Sequence, residues 1–228
     1  MKRFFLIALV LPSALLAGKA DPTITEVVAA NDTYAQAVNR EGAWRATRAV
    51  AIPQTQSFIP NRTAADEFGA SWPVLVKLSI GKTEQVWVSC DSTVGITVAS
   101  WTIPRTKAHG WHEIIWAKLR NGDIRMLLHH AGPTKPKLFS TPGRKGMRAA
   151  CTATPPPLPI VAPAIGSDLN LGTSHDQTLI WSSVVSEKGE NREVVEVRIV
   201  VSLWNGKAFE PVLEDCSAHG PAALTSCT

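Results

Sequence analysis

The residues best suited to chemistry fall in one stretch, "WHEIIWAKLRNGDIRMLLHHAG", residues 111–132. It carries an acid, Glu113, and three histidines, His112, His129 and His130, around an Asn121-Gly122 pair. Asn-Gly between two apolar runs is the strongest short-range hairpin signal, because both turn residues must take positive φ. With a two-residue loop, Arg120 pairs with Asp123, Leu119 with Ile124, Ala117 with Met126, Ile115 with Leu128, and Glu113 with His130. Side chains alternate across a strand. One face then holds Trp111, Glu113, Ile115, Ala117 and Leu119 beside Ile124, Met126, Leu128 and His130, and this apolar face is expected inside. The other face, with His112, Ile114, Trp116 and Lys118 beside Arg125, Leu127 and His129, is mixed and expected to be more exposed.

His129 and His130 therefore point to opposite sides, and strand geometry excludes a chelate from the two together. His130 faces Glu113 at roughly 5 Å between Cβ atoms. A carboxylate that holds an imidazole raises its pKa and fixes its tautomer, which is how a general acid or base is oriented. The bland alternative is a polar pair satisfying itself at a core rim, and it is the favoured one. A usable site needs a third group; Asp91, after the "VWVSC" strand, is the nearest candidate in sequence. His109 and His112 stand His-x-x-His, but residues three apart on a strand face opposite sides, so no metal and no cofactor are expected.

The elements that must position these groups come in two styles. Thr23 followed by Glu26 has capping-box spacing, and Val27, Ala30, Tyr34, Ala37 and Val38 recur at helical intervals. Residues 43–51 suit a second short helix, ended by Ile52-Pro53, and "NRTAADEFG" offers another helical turn. From Trp72 the period changes to two through five strand-like runs, ending in "DIRMLLHH". Residues 133–170 are proline-rich ("TPPPLPIVAPAIG") and read as a linker. Three further runs, residues 171–216, read as a β-meander with its own Asn205-Gly206 turn, and residues 217–228 as a tail. No internal repeat is visible. Helices first and antiparallel strands after predict an α+β class.

Residues 1–20 have a basic start, an apolar run of about fourteen residues and small residues before a break, the parts of a secretory signal peptide. Cleavage after Ala20 would give a periplasmic or secreted protein with no membrane segment. Losing Lys2, Arg3 and Lys19 leaves 20 basic against 19 acidic side chains, a net of +1. That is far from the concentrated basic surface a nucleic-acid partner requires. Four cysteines in an exported chain favour disulfides. Four allow three pairings; the short separation of Cys216 and Cys227 suggests they pair, leaving Cys90 to Cys151.

The helix "NDTYAQAVNREGAWRATRAVA", the segment "VWVSCDSTVGITVASW" and the hairpin above resemble small exported members of the nuclear-transport-factor-2-like superfamily, in its polyketide-cyclase-like and ketosteroid-isomerase-like branch. The resemblance covers about residues 24–132. It implies a curved antiparallel sheet closed by helices into a cone with an internal pocket. In the isomerases of that family a tyrosine on the first helix and pocket carboxyls handle an enolate. Tyr34 is on that helix, but no general-base aspartate matches, and the residue matching His129 is usually Asp. A core aromatic is the better reading of Tyr34.

The leading expectation is an exported, non-catalytic domain binding a small apolar or amphipathic ligand. Trp111, Ile115, Met126, Leu128 and Tyr34 would line its pocket, with Glu113 and His130 as polar anchor. The alternatives are an isomerase, dehydratase or cyclase using Glu113 and His130 for proton transfer, and a protein-interaction or homodimerisation scaffold.

Overall fold

The computed structural model describes residues 21–58, 62–64, 77–157, 167–188 and 194–219. The expected signal segment and Cys227 lie outside them, as does most of the helical turn expected over residues 61–69, whose described part, Arg62–Ala64, is instead a strand. The protein is α+β: two helices, α1 (Pro22–Glu41) and α2 (Ala43–Val50), precede two sheets. Asp21, not Thr23, caps α1, its Oδ1 accepting from the Thr23 amide at 2.9 Å, with Pro22 in the first turn. Proline suits that position because its missing N–H would be unpaired there anyway. Glu26 does not close a capping box; it pairs with Lys118 instead.

The larger sheet comprises β1 (Ala51–Phe58), β2 (Arg62–Ala64), β3 (Ser79–Ile80), β4 (Gln85–Val88), β5 (Val94–Ile103), β6 (Ala108–Lys118), β7 (Ile124–Gly132) and β9 (Met147–Arg148), with β8 (Lys137–Leu138) elsewhere. Its order is β2-β1-β7-β6-β5-β4-β9, with β3 beside β5. It is mixed, since β1 runs parallel to β7 and β9 parallel to β4. The smaller sheet is β10 (Ser167–Thr173), β11 (Leu179–Lys188), β12 (Val194–Trp204), β13 (Phe209–His219) and then β8. The C-terminal meander thus has four strands where three were expected. The proline-rich stretch is more than a spacer: β8 adds to the small sheet, β9 to the large one, and β10 begins within it. Two-residue edge strands fit between prolines because they need few ladder bonds.

Helices cover one face of the large sheet. Ile24, Val27, Tyr34 and Val38 of α1 pack on Val86, Val88, Ala99, Ile114, Trp116 and Met126. Gly95 makes this approach possible, because a Cβ there would stand 2.7 Å from the Val27 side chain. The other face packs on the small sheet, joining Trp87, Ile96, Val98, Ile115 and Leu128 to Leu179, Trp181, Val197, Ile199, Val201 and Leu213. A sheet covered on both faces has no polar side. Hence the face expected to be exposed is buried too: His112 is 1 % and His129 3 % accessible.

The two sheets also share a pattern absent from any simple reading of the sequence. Strands β10 to β13 repeat β4 to β7 in order and register, and the middle two strands also in length. Val88 pairs with Gly95 as Thr173 does with Ile180, and Val94 with Ala117 as Leu179 does with Leu203. Both second hairpins shift register at the same place: Ile115↔Leu128 gives way to Trp116↔Met126, and Val201↔Leu213 to Ser202↔Pro211. The connecting turns share Ser-x-Asp-x-Thr, at Ser89–Thr93 and Ser174–Thr178. In each, the serine hydroxyl donates to the aspartate at 2.7 Å and the next-but-one residue's amide does the same, and Ser92 and Gln177 take φ of 67° and 62°.

The two turns grip each other reciprocally. The Asp91 amide donates to Asp176 Oδ2 at 2.8 Å, and the Asp176 amide to Asp91 Oδ2 at 2.9 Å. The Cys90 amide donates to Thr178 Oγ1 as the His175 amide donates to Thr93 Oγ1. Contacts in which i meets j and j meets i are the signature of two-fold relation. The expectation of no internal repeat is therefore corrected: the chain holds two four-stranded units face to face. Cys90 and Cys151 form a disulfide, as expected.

Candidate functional site

Glu113 lies on β6 and His130 on β7, opposite each other as the hairpin predicts. The route to that pairing differs from the expected one. The turn is wider, with Lys118 opposite Ile124 and the Gly122 amide donating to Leu119 O. The β-bulge at Leu127 then adds one residue and restores the anticipated register from Ile115 onward. The same bulge splits the expected pocket lining. Ile115 and Leu128, with Trp111 against them, belong to the core between the sheets, whereas Met126 sits with Tyr34 beneath the helices.

Around Glu113 and His130 the structure assembles a cluster sealed between the sheets. His130 Nδ1 is 3.0 Å from Glu113 Oε2 and 2.8 Å from Asp215 Oδ2, and its Nε2 is 2.7 Å from Ser217 Oγ. All four residues are at most 4 % accessible. Asp215 and Ser217 come from β13, and Asp215 occupies in its unit the place that His130 occupies in the first: it pairs with Ile199, as His130 does with Glu113. Asp91, the third group suggested by sequence, is engaged in the turn contacts instead.

Burial and then the charge of Asp215 push the Glu113 carboxyl up, to about 8. For His130 burial opposes the charged form, but the close Asp215 and Glu113 carboxylates outweigh it, raising the ring to about 9. Glu113 Oε1 has no hydrogen-bond partner, and Asp215 Oδ2, though close to Nδ1, lacks the alignment for one.

A second polar group lies on the opposite face of the same strands. His112 and His129 meet with ring centroids 5.5 Å apart, 75° between planes. Tyr34 touches both edge-on or tilted and also Trp116. Burial holds His112 down, to about 4; burial and then the neighbouring imidazoles hold His129 well below its ordinary value. Both rings are neutral at pH 7, and none of their four nitrogens has a hydrogen-bond partner. Burial pushes the Tyr34 phenol up to about 12, offset in part by its bond to Thr47 Oγ1 at 3.1 Å. Sequence reasoning set His112 and His129 aside, because a mixed strand face reads as an outer one.

No protein-family model matches the chain, and no curated protein does. About half of the chain is similar to nuclear-transport-factor-2-like proteins. One such protein, from Salmonella enterica, is 12 % identical over 50 % of this chain and 92 % of its own, with a TM-score of 0.40. Another, of unknown function, from Shewanella oneidensis, is 15 % identical over 49 % of this chain and 98 % of its own, with a TM-score of 0.39. A cystatin-like fold protein from Burkholderia xenovorans is 17 % identical over 48 % of this chain and 89 % of its own, also at 0.39. These likenesses concern architecture over about half the chain and bring no activity with them.

Proposed function

We propose that this is an exported protein that binds a small amphipathic molecule between its helices and the large sheet, without catalysis. The observation that carries the reading is the pair His112 and His129, fully buried and neutral with nothing to bond. Each neutral imidazole presents one N–H and one lone pair. Leaving such groups unsatisfied costs about 1–3 kcal/mol each, so their retention among apolar residues argues for a partner carrying a hydroxyl or carbonyl. Tyr34 packs against both rings and against Trp116, and Met126 belongs to the same apolar cluster. Apolar walls with a few convergent polar groups are what small-molecule sites usually have.

The isomerase, dehydratase or cyclase reading would require substrate to reach Glu113 and His130. Both are enclosed beneath the small sheet, with Asp215 and Ser217 directly upon them. Export rests on the character of residues 1–20 and accords with the Cys90–Cys151 bond. No helix of the described residues is long and apolar enough to cross a membrane.

Native mass spectrometry of the chain from its own source tests the reading. The expected spectrum shows an organic adduct that is lost from a His112→Phe, His129→Phe variant and kept by a Ser217→Ala variant. A wild-type chain without an adduct, or an adduct insensitive to the histidine pair, overturns it.

A further inference from the structure

We propose that Glu113, His130 and Asp215 hold a divalent transition-metal ion, of the zinc class, that fastens the second sheet onto the first. The donor atoms of the three side chains lie within 4.8 Å of one another, in a setting closed to solvent. One imidazole nitrogen with carboxylate oxygens at about 2.0–2.2 Å from the ion is an ordinary zinc donor set. Donors on a tetrahedron of that size stand about 3.3 Å apart, so Nδ1···O separations of 3.0 and 2.8 Å need little adjustment. Glu113 Oε1, buried and without a partner, is available to complete the coordination.

Two further features favour an ion over hydrogen bonds alone. First, a single Nδ1–H cannot be directed at two carboxylates, and Asp215 Oδ2 is near Nδ1 yet makes no hydrogen bond. A cation at the centre serves both oxygens at once. Second, the surroundings match the outer support that metal ligands usually have. Ser217 Oγ can accept from Nε2–H, which leaves the Nδ1 lone pair free for a metal, and the Cys216 amide donates to Asp215 Oδ1 at 2.8 Å and fixes that carboxylate. Two carboxylates closed off from solvent need two balancing positive charges, and one divalent ion supplies both.

Because the ligands come from both sheets, the site exists only once the sheets have met. Metal uptake is then part of folding, and a chelator should act on the unfolded chain but not the folded one. The test is to unfold the full chain with its disulfides intact and refold it with zinc chloride, with cobalt(II) chloride, or with EDTA. The expected result is about one zinc per chain, retained when EDTA is added after refolding. The cobalt form should absorb in the visible as four-coordinate Co²⁺ does, and the EDTA-refolded chain should melt at a lower temperature. Ser217→Ala, which leaves all three ligands in place, should weaken zinc about 10- to 100-fold. Refolded protein that takes up neither ion, or equal melting temperatures with and without zinc, overturns the proposal and leaves two protons as the balancing charge.

Discussion

The two four-stranded units share strand order, register and a turn, and have very different company. In the first, Gly95 admits α1 onto the sheet, and the strand positions beneath the helices carry His112 and His129. In the second, Ile180 stands where Gly95 does, and Arg198 and Glu214 stand where the histidines do, paired at 3.1 Å and partly open to solvent. Among the described residues no helix covers that face. A backbone can therefore be copied while its chemistry is replaced: neutral imidazoles in a sealed interior become an ion pair once water can reach the site, because a charge is costly only where water is excluded.

The largest effect should come from a feature one unit has and the other lacks. Cys90 is bonded to Cys151, 61 residues away, whereas its counterpart is His175. Replacing both cysteines with serine should cost about 4 kcal/mol in urea unfolding, from the entropy of the opened loop. A much smaller loss would mean that the reciprocal turn contacts already restrain that loop.

The shared core should respond alike from either side. Leu128→Ala and Leu213→Ala, at matching positions in the same core, should each cost about 2–5 kcal/mol in a single transition. Two separate transitions in the Leu213→Ala chain would show that the second unit can open alone.

Next come the turns. Asp91→Ala and Asp176→Ala should each cost about 1–3 kcal/mol, and the double variant less than the sum, because each aspartate accepts from the other's amide. Strict additivity would contradict the reciprocal arrangement. Acid offers a gentler probe of the same feature. Burial works against the Asp176 carboxylate, but hydrogen bonds from Ser174 and Thr178 and from the Asp91 amide hold its pKa below the ordinary 3.8. Its stabilisation is complete above that value and is lost as the pH falls through the lower, folded-state pKa. Acid unfolding of Asp176→Asn should therefore depend less steeply on pH below about 4 than that of the wild type. The smallest effect should be Arg198→Ala, under about 1 kcal/mol for a partly exposed pair.

Much of the architecture was open to reading, for reasons that also explain what was hidden. Strand β5 is a β-branched run with clean ends, and Asn121-Gly122 announces its hairpin, so Glu113 could be set against His130. Strand β1 was missed because "AIPQTQSF" carries a proline and two glutamines; it is held by parallel pairing with β7, which leaves no local trace. The second unit kept only Ser-x-Asp-x-Thr and Asn-Gly of the first, too little to reveal a repeat. Asp215 and Ser217 are about 85 residues from His130 and meet it through sheet packing, which no spacing rule describes. The outward assignment of His112 and His129 failed because alternation tells which residues share a face, not whether something covers it.

The bond between the two units is the chain itself. Two separate copies meeting about a two-fold axis would set each residue at the centre against its own duplicate, imidazole against imidazole. With both units on one chain, the central positions can differ, and His130 meets Asp215 in place of another His130. The tether also fixes the local concentration of one unit around the other. The face-to-face pairing should therefore be indifferent to dilution.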